Sequence, residues 1–446
     1  MSPSYAKRAA MTHRVAIVGA GPSGFYAADG LLRANPDLHI DVIDRLPTPF
    51  GLVRAGVAPD HQGTKAVVRQ FDRLLAQPDL RFAGNIEIGR DLSWDELSAA
   101  YDAVIVATGM VIDKKLGVPG EDLPHVWGSW RLVGWLNGHP DYRQGPDLSQ
   151  VKSVAVIGNG NVALDCARIL SKTSHEFEGS DIVGHALEAL EKAGTRTITI
   201  LGRRGPHQIA MTPKELGELG HLEAASPTVD AADFPPLEAD ETLEPGHRKS
   251  ITILRDFAAT LPDPAKPKRM VFDFFAKPVA IEGDGKAERI VVERTRLDEE
   301  GRAVGTGETY VVPAGLIVSC IGYSTSPIPG VPYDEKHGHF LNDHGQINDQ
   351  IYCVGWARRG PTGTIGTNRP DGYEVAEQVA SAMPADSGGG KKGGEGLNAL
   401  LVDRGVEATS FDDWRTIEKA EEAQARTGSP REKMVRVDEW LKVLGR

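Results

Sequence analysis

The chain has little cysteine and no long apolar run, and each shortage removes a class of chemistry. Its three cysteines, Cys166, Cys320 and Cys353, are far apart, with no Cys-x-x-Cys pair. No local dithiol couple, zinc knuckle or iron–sulfur cluster is encoded, and no metal site is expected. Each cysteine has apolar neighbours, as core thiols do, and a reduced, cytoplasmic setting fits them. No apolar stretch approaches the roughly 20 residues that cross a bilayer, so no membrane role is expected. Residues 1–12 are mildly basic without the apolar core of a secretory signal. They read as a short arm, with Met11 as an alternative start; a trimmed organellar leader is the weaker reading. Lysine and arginine (50) are outnumbered by aspartate and glutamate (62). The formal charge of -12 argues against general nucleic-acid binding.

Glycine is abundant, 50 of 446 residues, which suits many tight turns, and the length suits two or three domains. Two glycine-rich turns each follow an apolar strand and open a helix. Gly19-Ala20-Gly21-Pro22-Ser23-Gly24 follows Val15-Ala16-Ile17-Val18, and Gly158-Asn159-Gly160-Asn161-Val162-Ala163 follows Val154-Ala155-Val156-Ile157. In such a fingerprint the first glycine permits the turn and the second admits a pyrophosphate. The third, or an alanine, lets helix and strand pack closely, while the helix N-terminus offers N–H groups to phosphates.

The two units end in opposite charges. After a helix over residues 25–33 and a strand over 40–44, the first reaches Asp44, twenty residues beyond Gly24. A carboxylate there accepts ribose hydroxyls and suits FAD or NAD. Ala107-Thr108-Gly109 and a second loop tilt the choice to FAD. That loop runs from the strand Ile351-Tyr352-Cys353-Val354-Gly355-Trp356 through Arg359-Gly360-Pro361-Thr362-Gly363-Thr364-Ile365-Gly366-Thr367-Asn368. It leads into a helix over 372–381 whose N-terminus suits the flavin N1/O2 edge. The second unit's next strand, Thr197-Ile198-Thr199-Ile200-Leu201, runs into Gly202-Arg203-Arg204-Gly205-Pro206. Two guanidiniums stand where an NAD site wants a carboxylate, and they match the 2′-phosphate of NADPH. The spacing is about twice the usual one, which a helical insertion over 171–193 accounts for.

These patterns define an α/β fold: two Rossmann-like dinucleotide-binding domains with an antiparallel meander and a C-terminal helical appendix. The expected divisions are 13–115 and 331–446 for the FAD-binding domain and 116–330 for the NADPH-binding domain. The meander is expected over 270–312, with a hairpin turn at Glu282-Gly283-Asp284-Gly285. A buried strand over 316–322 then returns the chain to the first domain. Further helices are expected over 65–76 and 93–101, with tail helices over 411–425 and 437–444. Residues 385–396, rich in glycine and lysine, read as a flexible loop.

With both units and the later loop in view, the chain resembles NADPH–ferredoxin reductases of the adrenodoxin-reductase type. The resemblance rests on Pro47-Thr48-Pro49-Phe50-Gly51-Leu52-Val53-Arg54-Ala55-Gly56-Val57-Ala58-Pro59-Asp60-His61, on Gly158 to Asp165, on Gly202 to Pro206, and on Val354 to Asn368. It implies FAD contacts at Ser23, Asp44, Leu52, Ile88, Trp356, Gly363, Thr364 and Ile365. It implies NADPH contacts at Asn159, Gly160, Asn161, Val162, Arg203, Arg204, Glu215 and Gly363, with Lys114 where relatives often have arginine. It further implies that His61 and Glu218 lie near the nicotinamide. Gly217 stands where the family usually has arginine, and Asp44 replaces the commoner glutamate. The implied reaction is hydride transfer from NADPH to flavin N5, then single electrons to a separate ferredoxin-type partner. Arg248, Lys249 and Arg255 match the docking region, and nothing requires more than a monomer. A flavin monooxygenase and a flavin-bound redox sensor remain the alternatives at this stage.

Overall fold

A computed structural model describes residues 13–383 and 390–446. The basic arm expected over residues 1–12 and the part of the expected loop at 385–389 lie outside the described residues. The rest of that loop leads into a helix, Gly394–Asp403.

The first sheet is parallel, in the order Ile351–Cys353, Ala103–Val106, Arg14–Val18, His39–Ile43, Leu80–Ala83. Its central strands read as continuous apolar runs because helices cover both faces, and Val15, Ala16 and Ile17 are fully buried. The helix Pro22–Ala34 lies on it and packs against the helix Asn368–Ser381. Gly30 and Gly372 permit that contact. A Cβ on Gly30 would lie 2.7 Å from the Ala376 methyl, and one on Gly372 would lie 2.9 Å from the backbone of Ala27. The chain's late helix is thereby pressed onto its first one.

The second sheet is also parallel, in the order Val126–Gly128, Leu316–Ser319, Ser153–Ile157, Thr197–Gly202, Lys268–Phe274, Ala225–Val229. Two expectations change here. The strand Lys268–Phe274 belongs to this sheet, and the antiparallel meander is only Ala276–Glu282, Arg289–Leu297 and Ala303–Pro313. The alternation at 268–274 has another cause: Asp273, on the less buried face, accepts from Arg294 (2.7 Å) and Tyr310 (2.6 Å) of the meander. The strand Leu316–Ser319 also lies inside the second sheet; the return comes next, where Tyr323–Ser324 pairs antiparallel with Ile112–Asp113. The insertion between Asn161–Ser171 and Thr197–Gly202 consists of a 3-10 turn, His175–Phe177, and a helix, Gly184–Glu191. The three thiols are unpaired, and the fold sets Cys320 Sγ 3.9 Å from Cys166 Sγ, a proximity that no local spacing signalled.

The C-terminal segment does more than cover a surface. Its helices Phe411–Ala423 and Val437–Val443 bury Trp414 and Trp440. The Arg54 guanidinium sits over both rings, 5.2 and 5.6 Å from their centroids. Arg54 also donates to the fully buried Glu421 (2.9 Å), which accepts the Met434 N–H (3.0 Å). On the other side, Lys433 reaches Asn137 (2.8 Å) and Asp181 (2.9 Å), and Glu432 accepts the Gly184 N–H (2.7 Å). Asp181 also takes Lys65 at 2.7 Å. The tail therefore ties the first unit to the second. Removing one partner of a buried ion pair leaves a charge uncompensated, at a cost of about 3–5 kcal/mol. Glu421→Ala is expected to lower urea-unfolding stability by about that amount. Arg446→Ala, which removes a partly exposed pair with Asp413, should cost under about 1 kcal/mol.

Candidate functional site

The first glycine turn has the geometry of a phosphate cradle. Gly19 has φ +116°, and a Cβ there would fall 2.4 Å from the Ala107 carbonyl oxygen. A Cβ on Gly24 would fall 2.2 Å from the Gly19 oxygen, whereas one on Gly21 meets nothing within 4 Å. The open position is where a pyrophosphate approaches the backbone. Asp44 accepts the N–H of Ala20 (2.8 Å) and of Leu46 (2.9 Å), so this carboxylate fastens the turn. Burial pushes its carboxyl up, against the pull of those N–H groups. Leu52 lies on the short helix Gly51–Ala55, and Phe50 donates its N–H to Ala20 (2.8 Å), which seats this segment beside the turn. Ile88 is half-buried beyond the Leu80–Ala83 strand.

The later loop closes over the same turn. Gly355 has φ +66°, and a Cβ there would lie 2.0 Å from Ser23 Oγ. Buried Asp371 fixes the loop by accepting from the Gly355 N–H, Arg358 (2.9 Å) and Arg359 (3.0 Å). The Thr367 hydroxyl accepts the Thr364 N–H (2.8 Å), and the Trp356 indole donates to the Thr362 carbonyl (3.0 Å). Gly363, Thr364 and half-buried Ile365 form the outer rim. The helix behind them begins at Asn368, four residues earlier than the sequence pattern suggests.

The second turn repeats the cradle: a Cβ on Gly160 meets open space, and Ala163 is fully buried as the third position requires. Asn159 Oδ1 and Glu215 Oε2 are both buried without a hydrogen-bond partner. Orphaned acceptors cost stability unless a ligand satisfies them. Arg203 and Arg204 are exposed just beyond the strand Thr197–Gly202, with no carboxylate partner among the described residues. The residues present fit an FAD-type dinucleotide at the first turn and a 2′-phosphorylated one at the second. Asn161 accepts the Thr212 N–H (2.8 Å), which seats the helix Pro213–Leu219 carrying Glu215 and Glu218 beside the turn. On that helix, the space beside Gly217 is empty.

Leu52 and Trp356 from the first unit and Val162 from the second pack on one apolar cluster with Met110, Trp130 and Tyr323. Tyr323 stacks on Trp356 at 6.1 Å and 21°. Beside the second turn, His61 Nε2 lies 3.0 Å from Glu218 and its Nδ1 3.7 Å from Asp165. Arg168, 1% exposed, joins Asp165 (2.7 Å), Glu218 (3.0 Å) and Asp60 (2.8 Å), and Lys172 also holds Asp60 (2.7 Å). Asp60, Asp165 and Arg168 were not singled out from the sequence. The one available signal was the i, i+3 spacing of Asp165 and Arg168 on the fingerprint helix. Burial alone would raise the Asp60 carboxyl, but Arg168 and Lys172 hold it well below the usual carboxylate range.

Two groups of expected residues stand apart from this cluster. Lys114 donates to the His337 carbonyl (3.4 Å), and no hydrogen bond joins it to the other expected nucleotide contacts. On the helix Pro245–Ala259, Arg248 donates to the carbonyls of Glu241 (2.5 Å) and Leu243 (3.1 Å). Arg255 is committed to Asp240 at 2.7 Å, whereas Lys249 is exposed without an ion-pair partner among the described residues.

Two parallel-sheet units, each with a dinucleotide cradle and meeting at one apolar cluster, define a two-dinucleotide oxidoreductase. The family model for pyridine nucleotide-disulphide oxidoreductases matches residues 13–205. The chain is 40% identical to the NADPH-ferredoxin reductase FprA of Mycobacterium tuberculosis strain H37Rv, over 96% of this chain and 98% of that protein. It is 39% identical to the mitochondrial NADPH:adrenodoxin oxidoreductase of Homo sapiens, over 97% of this chain and 92% of that protein. The structure of M. tuberculosis FprA in complex with NADPH superposes with a TM-score of 0.92 at 38% identity, covering 97% and 99% of the two chains. The chain belongs to the family of NADPH–ferredoxin and NADPH:adrenodoxin reductases.

The Asp60 carboxylate supplies a pH test. A folded-state pKa held below the unfolded value of about 3.9 gives stability that is complete above that value and lost as pH falls through the folded one. Asp60→Asn also leaves Arg168 short of a partner, at a cost of about 3–5 kcal/mol. The variant should therefore unfold at lower urea at pH 7, and its deficit should shrink as the pH is lowered below about 4.

Proposed function

We propose that this chain carries electrons from NADPH, through bound FAD, to a separate one-electron iron–sulfur protein of the ferredoxin type. The observation that carries the reading is the meeting of two cradles of opposite charge: Leu52 and Trp356 from one unit share an apolar cluster with Val162 from the other. The full-length relationship to the named reductases supports it.

In this reading FAD is held by Gly19, Gly21, Ser23, Gly24, Asp44, Leu52, Ile88, Trp356 and the rim Gly363 to Ile365. NADPH is held by Asn159, Gly160, Asn161, Val162, Glu215, Gly363 and the Arg203–Arg204 pair, with Lys114 in a peripheral role. Bound FAD supplies the change from two-electron hydride acceptance to one-electron release. The chain supplies alignment. The two guanidiniums fix the adenosine end of NADPH, the unsatisfied acceptors Asn159 and Glu215 take its donors, and the Tyr323–Trp356 stack shields the junction from water. His61, braced by Glu218 and Asp165, orients the nicotinamide end and handles a proton at Nε2.

The helix Pro245–Ala259 presents the docking face for the acidic partner. With Arg255 neutralised by Asp240, the free charge there is that of Lys249 and Arg248. Residues 13–115 with 331–446 form the FAD-binding domain and 116–330 the NADPH-binding domain, in a chain that works as a monomer.

Purified protein should be yellow and should reduce cytochrome c with NADPH only when ferredoxin is added. Each charge-assisted contact to the 2′-phosphate contributes about 1.5–3 kcal/mol. Arg203→Ala with Arg204→Ala should therefore raise KM for NADPH about 100-fold or more, and KM for NADH less than about threefold. Equal effects on the two nucleotides contradict the assignment. The ferredoxin-coupled kcat/KM should fall with rising salt, and Lys249→Glu should lower it about 3- to 10-fold at low salt while flattening that dependence. A salt-independent coupled rate contradicts docking through this helix.

A further inference from the structure

A second group of ligating side chains lies on a short hairpin that the reaction does not use. Its strands Tyr333–Asp334 and His339–Phe340 pair antiparallel, and one ligand atom from each of Asp334, His337 and His339 falls within 4.8 Å of the others. We propose that these three residues bind a divalent transition-metal ion of the zinc, nickel or copper(II) class.

The tautomers are already arranged for ligation. His339 Nδ1 lies 3.0 Å from the Phe340 carbonyl, which can only accept, so this nitrogen carries the proton and leaves Nε2 with its lone pair. Such a bond from the other ring nitrogen is how metal-binding histidines are usually held. His337 Nδ1 shares a proton with Asp334 Oδ2 at 2.6 Å, and the His337 N–H fixes the other Asp334 oxygen at 3.0 Å. The two imidazoles stack at 5.9 Å and 29°, both on one side of the hairpin. A tetrahedral ion with bonds of about 2.0–2.2 Å spaces its ligands about 3.3 Å apart. The ligand atoms, one from each residue and all within 4.8 Å of one another, must adjust toward that spacing. The His337 side chain, which is 57% exposed, has room to rotate in that adjustment.

Two imidazoles and one carboxylate select borderline transition ions over Mg2+ and Ca2+, with solvent in the remaining position. The ion would bridge both strands and the turn. The hairpin in turn holds the return linker: Gly338 accepts the Thr325 N–H (2.8 Å), and the Tyr333 hydroxyl donates to the Thr325 carbonyl (2.8 Å). The site is thus a brace beside the paired strands that join the two domains.

Titration calorimetry of the flavin-loaded, untagged protein with zinc chloride tests this. The expected result is one equivalent bound, weakened at least tenfold in His337→Ala and in His339→Ala, with no binding of magnesium. Copper(II) added to the zinc-free protein should show nitrogen coupling from two imidazoles in its EPR spectrum, reduced to one in either variant. Among the described residues the other such group is His61, Glu215 and Glu218. Zinc affinity unchanged in the double histidine variant and lost in His61→Ala would place the ion there and overturn the proposal. So would a Kd above about 1 mM for wild type.

Discussion

A single buried guanidinium, that of Arg168, sets the relation between the two nucleotide units. Its helix belongs to the second fingerprint, yet it grips Asp60 of the first unit while also holding Asp165 and Glu218. The neighbouring backbone is held as well: the Asn137 side-chain amide donates to the Val57 carbonyl (2.9 Å) and the Asp181 backbone N–H to the Pro59 carbonyl (3.1 Å). The five residues from Val57 to His61 are thus a finger of the first domain gripped by the second. A charge this deep tolerates only full pairing, so the domains cannot separate here without exposing carboxylates and guanidinium together. The His61 ring sits at the tip of that finger, and its distance to Glu218 is a consequence of the grip rather than of its own helix.

Most of this was legible in the sequence where local chemistry dictates local form. The glycine turns follow from sterics: only residues without Cβ fit at Gly19 and Gly24, and the open position at Gly21 marks the ligand side. Arg203 and Arg204 stand out in the sequence at the end of the second unit's strand, and no carboxylate among the described residues neutralises them. Arg168 was not legible, because an aspartate and an arginine three apart on a helix usually make a surface pair worth a few tenths of a kcal/mol. Its burial is a product of domain packing, which single-chain periodicity does not encode. The strand Lys268–Phe274 misled for a related reason: its polar residue Asp273 faces a meander that supplies Arg294 and Tyr310. Alternation marks one polar face, and here that face is covered by protein.

The C-terminal tail shows the same limit on a larger scale. Its pattern of one charged face is that of a surface helix, yet Glu421 is fully buried and Lys433 nearly so. They are buried because Arg54 waits for Glu421 on one unit and Asp181 for Lys433 on the other. Burial pushes the amines of Lys65 and Lys433 down, against the pull of Asp181. The tail therefore strengthens at a distance the grip that Arg168 exerts at the site.

The thiols bear on how electrons leave. A disulfide relay needs a thiolate that is both formed and reachable. Cys320 and Cys166 lie 3.9 Å apart, close enough to invite that reading, although no sequence spacing suggested it. The Cys320 sulfur beside it, together with burial, pushes the Cys166 thiol well above its usual range, and no part of its side chain meets solvent. A sulfur that keeps its proton and cannot be approached is a poor nucleophile. In the proposed reading, electrons that arrive as hydride thus have no sulfur-exchange route through Cys166. In that reading the remaining route is outer-sphere, from the exposed rim of the Gly363–Ile365 loop to a separate carrier that holds its own redox centre. The scarcity of cysteine and the exposure of that rim argue for the same kind of partner.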